Sequence, residues 1–184
     1  TKSRKAASEK LEKAVGAELE FLNMPGVKFL VQSSETPLTK NGREKLEFLI
    51  SANAGEQPKP LSKIASGGEL SRTMLALLSV INSKNDADTI IFDEIDAGIS
   101  GRAADKVGIR LAKTAENSQV ICITHLAQIA SKGNSHYLIE KSSDGQKTKT
   151  SVEKLDKEGR IEELARIIGG TVMTESTRAA ASEM

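Results

Sequence analysis

The 184-residue chain has no tryptophan, one tyrosine, four phenylalanines and one cysteine. Aromatic residues at 3% are too few for the stacking platforms that hold single-stranded nucleic acid. Cys122 stands alone in an apolar run. That excludes a disulfide framework and a cysteine-based metal site, and it suits a reducing cytosol. Charge of one sign is also lacking. The 26 Lys and Arg against 25 Asp and Glu leave +1, so no global basic field announces nucleic acid, and only a local patch stays open. No apolar run nears the roughly twenty residues that span a bilayer. No leader segment is visible, so no membrane partner is expected. The first residue is Thr rather than Met, which reads as a fragment or a processed product. The pattern G-x-x-x-x-G-K-[ST], which cradles nucleotide phosphates, is absent too. Its nearest decoy, Gly108 to Thr114, lacks the second glycine and lies inside a helical pattern.

What is present suffices for a packed core: 38% hydrophobic and 28% charged residues. Residues 1–22 read as a highly charged helix with Ala7, Leu11, Ala14, Val15, Leu19 and Leu22 as its stripe, ended by Pro25-Gly26. Val27 to Gln32 and Lys45 to Ser51 read as strands of a hairpin with a long loop around Asn41-Gly42. Gly55 to Pro60 reads as loop. Ser66 to about Ser83 reads as a helix with Leu70, Met74, Leu77, Leu78 and Ile81 inward. Ile90 to Phe92 and Val120 to Thr124 read as buried parallel strands. The helix from Ser100 to about Asn117 joins them, turning Ala103, Ala104, Val107, Leu111 and Ala115 inward. A short helix ends at Gly133, and a second hairpin turns at Asp144-Gly145. Lys157 to Ile168 is a helix stopped by Gly169-Gly170, and the tail from Thr171 reads as fraying. The order gives an α/β core with antiparallel additions.

Four places carry chemistry. Asp93 and Glu94 end an apolar strand, where α/β sheets place ligands. One carboxylate of such a pair can hold Mg²⁺, usually through water, and the other can orient or deprotonate a water beside a γ-phosphate. Two solvated acids at a strand end read equally well. In Ser66-Gly67-Gly68-Glu69 the two glycines let backbone amides approach an anion, the helix behind them aims its positive end there, and Ser66 can cap that helix or reach a phosphate. An ordinary helix start is the simpler reading of this motif alone. His125 follows a strand end and can donate to a phosphate oxygen or to the attacking water, whereas His136 reads as structural. Asp96, with Gly98, sits on the turn after the acid pair, where a carboxylate can reach across a subunit contact. Arg72, one turn into the glycine-led helix, could neutralise phosphate or face water, and water is the favoured reading.

Together these motifs resemble the C-terminal half of an ABC-type ATPase head of the P-loop NTPase class. Ser66-Gly67-Gly68-Glu69 resembles the signature, and Ile90-Ile91-Phe92-Asp93-Glu94 resembles Walker B with its glutamate. Asp96 falls at the D-loop and His125 at the switch histidine. Glu69 after the glycine pair leans toward the SMC and Rad50 side. Three runs resemble the RecN family of bacterial DNA repair proteins more narrowly: Lys59 to Arg72, Asp93 to Gly101 and Thr124 to Ala130.

The resemblance implies an SMC-like head acting in double-strand-break repair by recombination, in the cytoplasm at the nucleoid. Residues 1–22 would be the end of a coiled-coil arm and 23–184 the C-terminal lobe of the head. It implies ATP and Mg²⁺ as ligands. Ser66, Gly67, Gly68, Glu69 and Asp96 would contact nucleotide, Asp93 would serve the metal, and Glu94 and His125 would be catalytic. It implies as partners a second head, the N-terminal lobe of the same protein, and DNA. The Walker A lobe is not in this sequence, so hydrolysis by the chain alone is not expected. Two alternatives share parts of the pattern: the ATPase subunit of a membrane transporter, and a non-catalytic module binding DNA or protein.

Overall fold

The computed structural model describes residues 2–51, 55–64, 66–81, 88–143, 147–170 and 172–184. They form two compact units, one running to Ile123 and one beginning at Thr124.

The first unit opens with α1 (Lys2–Phe21). Its C-terminal half carries the packing: Val15, Leu19 and Leu22 are fully buried, whereas Ala7 is exposed. Strands β1 (Lys28–Thr39) and β2 (Gly42–Ser51) pair antiparallel, with Lys40 and Asn41 between them and Gly42 at φ +100°. The expected long loop is therefore a tight turn between longer strands. Beyond Ser33 both strands are largely polar and exposed, so no hydrophobic alternation marks them. Glu12 of α1 accepts from the Val31 amide at 2.7 Å, and Arg4 donates to the Asn41 carbonyl at 2.5 Å, so the helix braces the hairpin. The segment expected as loop supplies β3 (Lys59–Pro60), which pairs with β2 at an edge, the place a sheet tolerates proline.

Helix α2 (Gly67–Ile81) buries Gly68, Arg72, Thr73, Leu75, Ala76 and Leu77. Of the five positions expected inward, only Leu77 is buried. Met74 and Ile81 are 41% and 52% exposed. The helix is rotated so that its small residues take the close contacts. Strands β4 (Thr89–Phe92) and β5 (Gln119–Cys122) pair parallel, joined through α3 (Gly101–Thr114). Ala103, Ala104, Val107 and Leu111 are buried as expected, and Ala115 is exposed. The strands are not buried on both faces: Phe92 is 4% exposed but Ile91 is 64%. Ile121 and Ile123 are exposed as well. Arg110 of α3 pairs with Glu18 at 2.9 Å and lies 4.5 Å from the Phe21 ring centre, which ties α3 to α1.

The second unit holds α4 (Ala127–Ala130), β6 (His136–Ser143), β7 (Thr148–Leu155), α5 (Lys157–Gly169) and α6 (Glu175–Glu183). Strands β6 and β7 pair antiparallel as expected, and their Asp144-Gly145 turn lies outside the described residues. Its core is Ala127, Leu164, Ala165 and Ala181. Asp156 caps α5 through the Gly159 amide at 2.8 Å, and Gly170 at φ +65° ends it. His136 Nε2 lies 2.6 Å from the Ala130 carbonyl, which fits the structural role expected of it. The tail does not fray. A reciprocal cap between Thr174 and Thr177 starts α6, and Arg178 pairs with Glu158. Residues 82–87, which include the expected end of the α2 helix near Ser83, lie outside the described residues.

Candidate active site

The first unit brings seven of the eight expected site residues into one neighbourhood, where the N-terminal turn of α2 meets the loop that leaves β4. Glu69 N approaches Ser66 Oγ at 3.4 Å, so Ser66 takes the capping place. Gly67 faces Glu94. A Cβ built on Gly67 would collide with Glu94 Oε2 and stand 3.6 Å from its carboxyl carbon. Gly68 has no room either, since a Cβ there would lie 2.9 Å from both the Cβ and the carbonyl oxygen of Ala97. The loop packed against the pair therefore demands glycine at Gly68, where the neighbour is backbone, whereas at Gly67 the neighbour is the end of an exposed side chain.

The acid loop is wound tightly. Glu94 adopts φ +56°, a conformation non-glycine residues rarely take. Ala97 N donates to the Glu94 carbonyl at 3.0 Å and Ile99 N to that of Asp96 at 3.3 Å. Asp93 and Glu94 are exposed, whereas Ile95 is fully buried and Asp96 is 3% exposed. The pair thus stands at the open end of the parallel sheet with its side chains in reach of solvent, and Asp96 is built into the turn.

Arg72 overturns its expectation. It is 6% exposed, and Nη1 donates to the carbonyls of Ile95 at 3.1 Å and Ala97 at 2.8 Å. Ser71 Oγ donates to the Asp93 carbonyl at 2.9 Å. Burial holds the guanidinium below its ordinary pKa, opposed by the nearby charges of Glu69 and then Asp96. A hydropathy pattern places arginine outward. The signal that could have found it is its spacing, four residues after Gly68 and so on the same face of α2. A cleft of about 360 Å³ opens beside Glu69, Arg72 and Gly98.

Cys122 lies across the sheet from Phe92. Burial pushes its thiol up to about 12, and the carboxylates of Asp96 and Asp93 add to the shift. The thiolate is the reactive form, so iodoacetamide at pH 8 is expected to alkylate Cys122 at least about a hundredfold more slowly in the folded chain than in urea. Equal rates under the two conditions would contradict this environment.

His125 belongs to the second unit. It is exposed and stands between Thr124 and Leu126, where the Leu126 amide donates to Thr124 Oγ1 at 3.1 Å, two residues before α4.

Among the described residues no group of three or more His, Cys, Asp or Glu is placed to cage a metal ion. The donor set fits a hard cation held by one carboxylate, water and phosphate oxygens, and Asp93 and Glu94 are both exposed there. No helix among the described residues is long and apolar enough to cross a membrane.

Solved structures place this fold in a known class. A chain from work on ATP-driven dimerisation and DNA-stimulated activation of SMC ATPases is 23% identical. It aligns over 89% of this chain and 94% of its own length with a TM-score of 0.53. The Smc head with coiled coil and joint from Pyrococcus yayanosii is 24% identical, with a TM-score of 0.60 over 85% of this chain and 28% of that one. The fold is that of an SMC-type head domain. No family model matches the sequence. The DNA repair protein RecN of Halalkalibacterium halodurans is 39% identical over 189 aligned residues, taking in the whole of this chain and 34% of its own length. RecN of Vibrio cholerae is 42% identical over 185, again across the whole chain and 33% of the relative. The chain belongs to the RecN family. It spans about a third of the length of these relatives.

Proposed function

We propose that this chain is the C-terminal lobe of a RecN-type SMC-like ATPase head. It would supply the signature, the Walker B acids and the switch histidine to ATP sites completed by the N-terminal lobe, in a protein that repairs double-strand breaks. The observation that carries the reading is the meeting of Ser66-Gly67-Gly68 with Asp93-Glu94 at the open end of a parallel strand pair. The exposed apolar face of that pair, Ile91 with Ile121 and Ile123, supports it as well. Parallel sheets are normally covered on both faces, and relatives three times longer carry chain able to cover this one.

In this reading residues 1–22 are the end of the coiled-coil arm and 23–184 the lobe. Asp93 would hold Mg²⁺, which would neutralise phosphate charge when bound. Glu94 takes a proton from the attacking water or orients it, and His125 donates to the phosphate region. Ser66, Gly67 and Gly68 present amides and a hydroxyl to the phosphate carried by a second head, and Glu69 and Asp96 border that contact. A phosphate brought onto Gly67 meets the Glu94 carboxylate lying there. Like charges separate, and Glu94 is exposed and able to turn outward. Two heads meeting this way form an isologous contact that nucleotide stabilises and hydrolysis loosens. DNA is the partner that family membership suggests, and the nucleoid is the place.

A full-length protein carrying Ser66→Arg tests the reading. The large cation fills the surface where a second head would bring its phosphate. Loss of a serine cap costs only about 1 kcal/mol, so the fold survives. Nucleotide binding is expected to persist while ATP-dependent pairing, read by light scattering, and hydrolysis are both lost. Normal pairing and turnover in this variant would overturn the reading.

A further inference from the structure

The turn after the acid pair is tied to α2 through alternate carbonyls. Ser71 holds that of Asp93, and Arg72 holds those of Ile95 and Ala97. Gly68 closes the same contact, because any Cβ there would press on the Ala97 carbonyl. The first two turns of α2 and residues 93–97 are therefore joined by three hydrogen bonds and one close contact. Glu94 sits within that loop, at φ +56°. A backbone in this region is kept only when its surroundings over-determine it, and two of the three tethers come from one side chain.

Arginine is an expensive tether. The residue is 6% exposed, and its Nε is buried with no hydrogen-bond partner. Burying a charge with a donor unmet costs stability. Two neutral donors could satisfy the same carbonyls, but they would not set a cation beside the Glu69 carboxylate and the buried Asp96. Both bonds leave one atom, Nη1, whose two N–H groups lie in the guanidinium plane and fix the spacing of two carbonyls on either side of Asp96.

We infer that Arg72 is a positioning residue for Glu94, a latch through which the glycine-pair helix sets the orientation of the acid that acts on water. The inference rests on the reading under Proposed function and goes beyond it. It makes the signature helix of one head a determinant of the hydrolytic geometry of that same head, in addition to its contact with the other. Arg72 touches no reacting atom in this scheme and acts only through the loop.

The test uses the full-length protein with Arg72→Met, Arg72→Lys and Glu94→Gln side by side. Methionine fills the volume and donates nothing. Its kcat for ATP is expected to fall about ten- to a hundredfold, the scale of an ångström's misplacement of a catalytic group. KM for ATP stays at its wild-type value, and nucleotide-dependent pairing is retained and lasts longer as hydrolysis slows. Lysine keeps the charge and a donor nitrogen but loses the planar orientation of the two N–H groups, so Arg72→Lys falls between methionine and wild type. A wild-type kcat in Arg72→Met, with turnover abolished in Glu94→Gln, overturns the latch and leaves the functional reading standing. Turnover intact in Glu94→Gln overturns both. A fall in kcat matched by an equal loss of ATP binding marks Arg72 as merely structural and also overturns the latch. Should Arg72→Met fail to fold, unchanged kcat in both Arg72→Lys and Ser71→Ala overturns it equally, and a graded loss in the two supports it.

Discussion

Replacing Glu94 by Gln in the full-length protein is expected to lower ATP turnover by about a hundred- to a thousandfold, within the range that a positioned general base supplies. Glutamine has the shape of glutamate and lacks its charge and basicity. It can still lie against Gly67, where the Glu94 carboxylate rests, so the packing of loop on helix persists. The side chain is exposed, so its loss of charge leaves no buried ion unpaired. Stability should therefore hardly move, and the change should appear in the chemical step. A hundredfold loss corresponds to about 2.7 kcal/mol of barrier.

The same substitution should act oppositely on association. If hydrolysis separates paired heads, a variant that binds ATP without consuming it accumulates the pair. Removing a negative charge from the surface of Gly67 also removes a repulsion against an incoming phosphate. Single-turnover kinetics together with light scattering would show slow chemistry and persistent dimers. Turnover close to wild type, or dimers as short-lived as those of wild type, would deny Glu94 its proposed role and move attention to the other exposed acid, Asp93.

How much of this was legible from the sequence varies with the kind of residue that specifies each element. Helices α1 and α3 and the β4–α3–β5 crossover were readable because apolar positions recur on one face: Val15 with Leu19, and Ala103, Ala104, Val107 and Leu111. The site was readable as punctuation, a glycine pair opening one helix and two acids closing one strand. Elements specified by polar residues were not. The outer part of the first hairpin is written in Ser, Glu, Thr and Lys, which carry no alternation, and α6 is written in alanines behind a threonine cap. The phase of α2 was misread for a related reason. Leu70, Met74 and Ile81 outweigh a glycine and an arginine on any hydropathy scale, yet Gly68 and Arg72 occupy the inner face because the loop from β4 needs a close approach and two donors there. Hydrophobic patterning records what water rejects. It does not record a buried hydrogen-bonded tether.

That tether makes Gly68 the position where a small change should do most damage to the fold of the first unit. In Gly68→Val the first side-chain atom would stand 2.9 Å from the Ala97 carbonyl oxygen, a backbone atom that can move only if residues 93–97 move with it. The branched methyls make the crowding worse, and overpacking of this kind costs about 1–3 kcal/mol or more. Gly68→Ala meets the same first contact with less bulk and should lie in the lower part of that range. Gly16 supplies the control. It is an interior glycine of α1 with nothing within 4 Å of its would-be Cβ. Gly16→Ala should therefore stabilise by about 0.5–1 kcal/mol through helix propensity alone. Melting temperatures of the isolated chain should thus move in opposite directions for two glycines of the same unit. The decisive comparison is Gly68→Ala combined with Arg72→Met. If both act by freeing the loop from α2, the second substitution costs less in the presence of the first, and the double-mutant cycle shows an interaction of at least about 0.5 kcal/mol. Simple additivity would mean that Gly68 and Arg72 grip different things, and that the loop is not held as one piece with the helix.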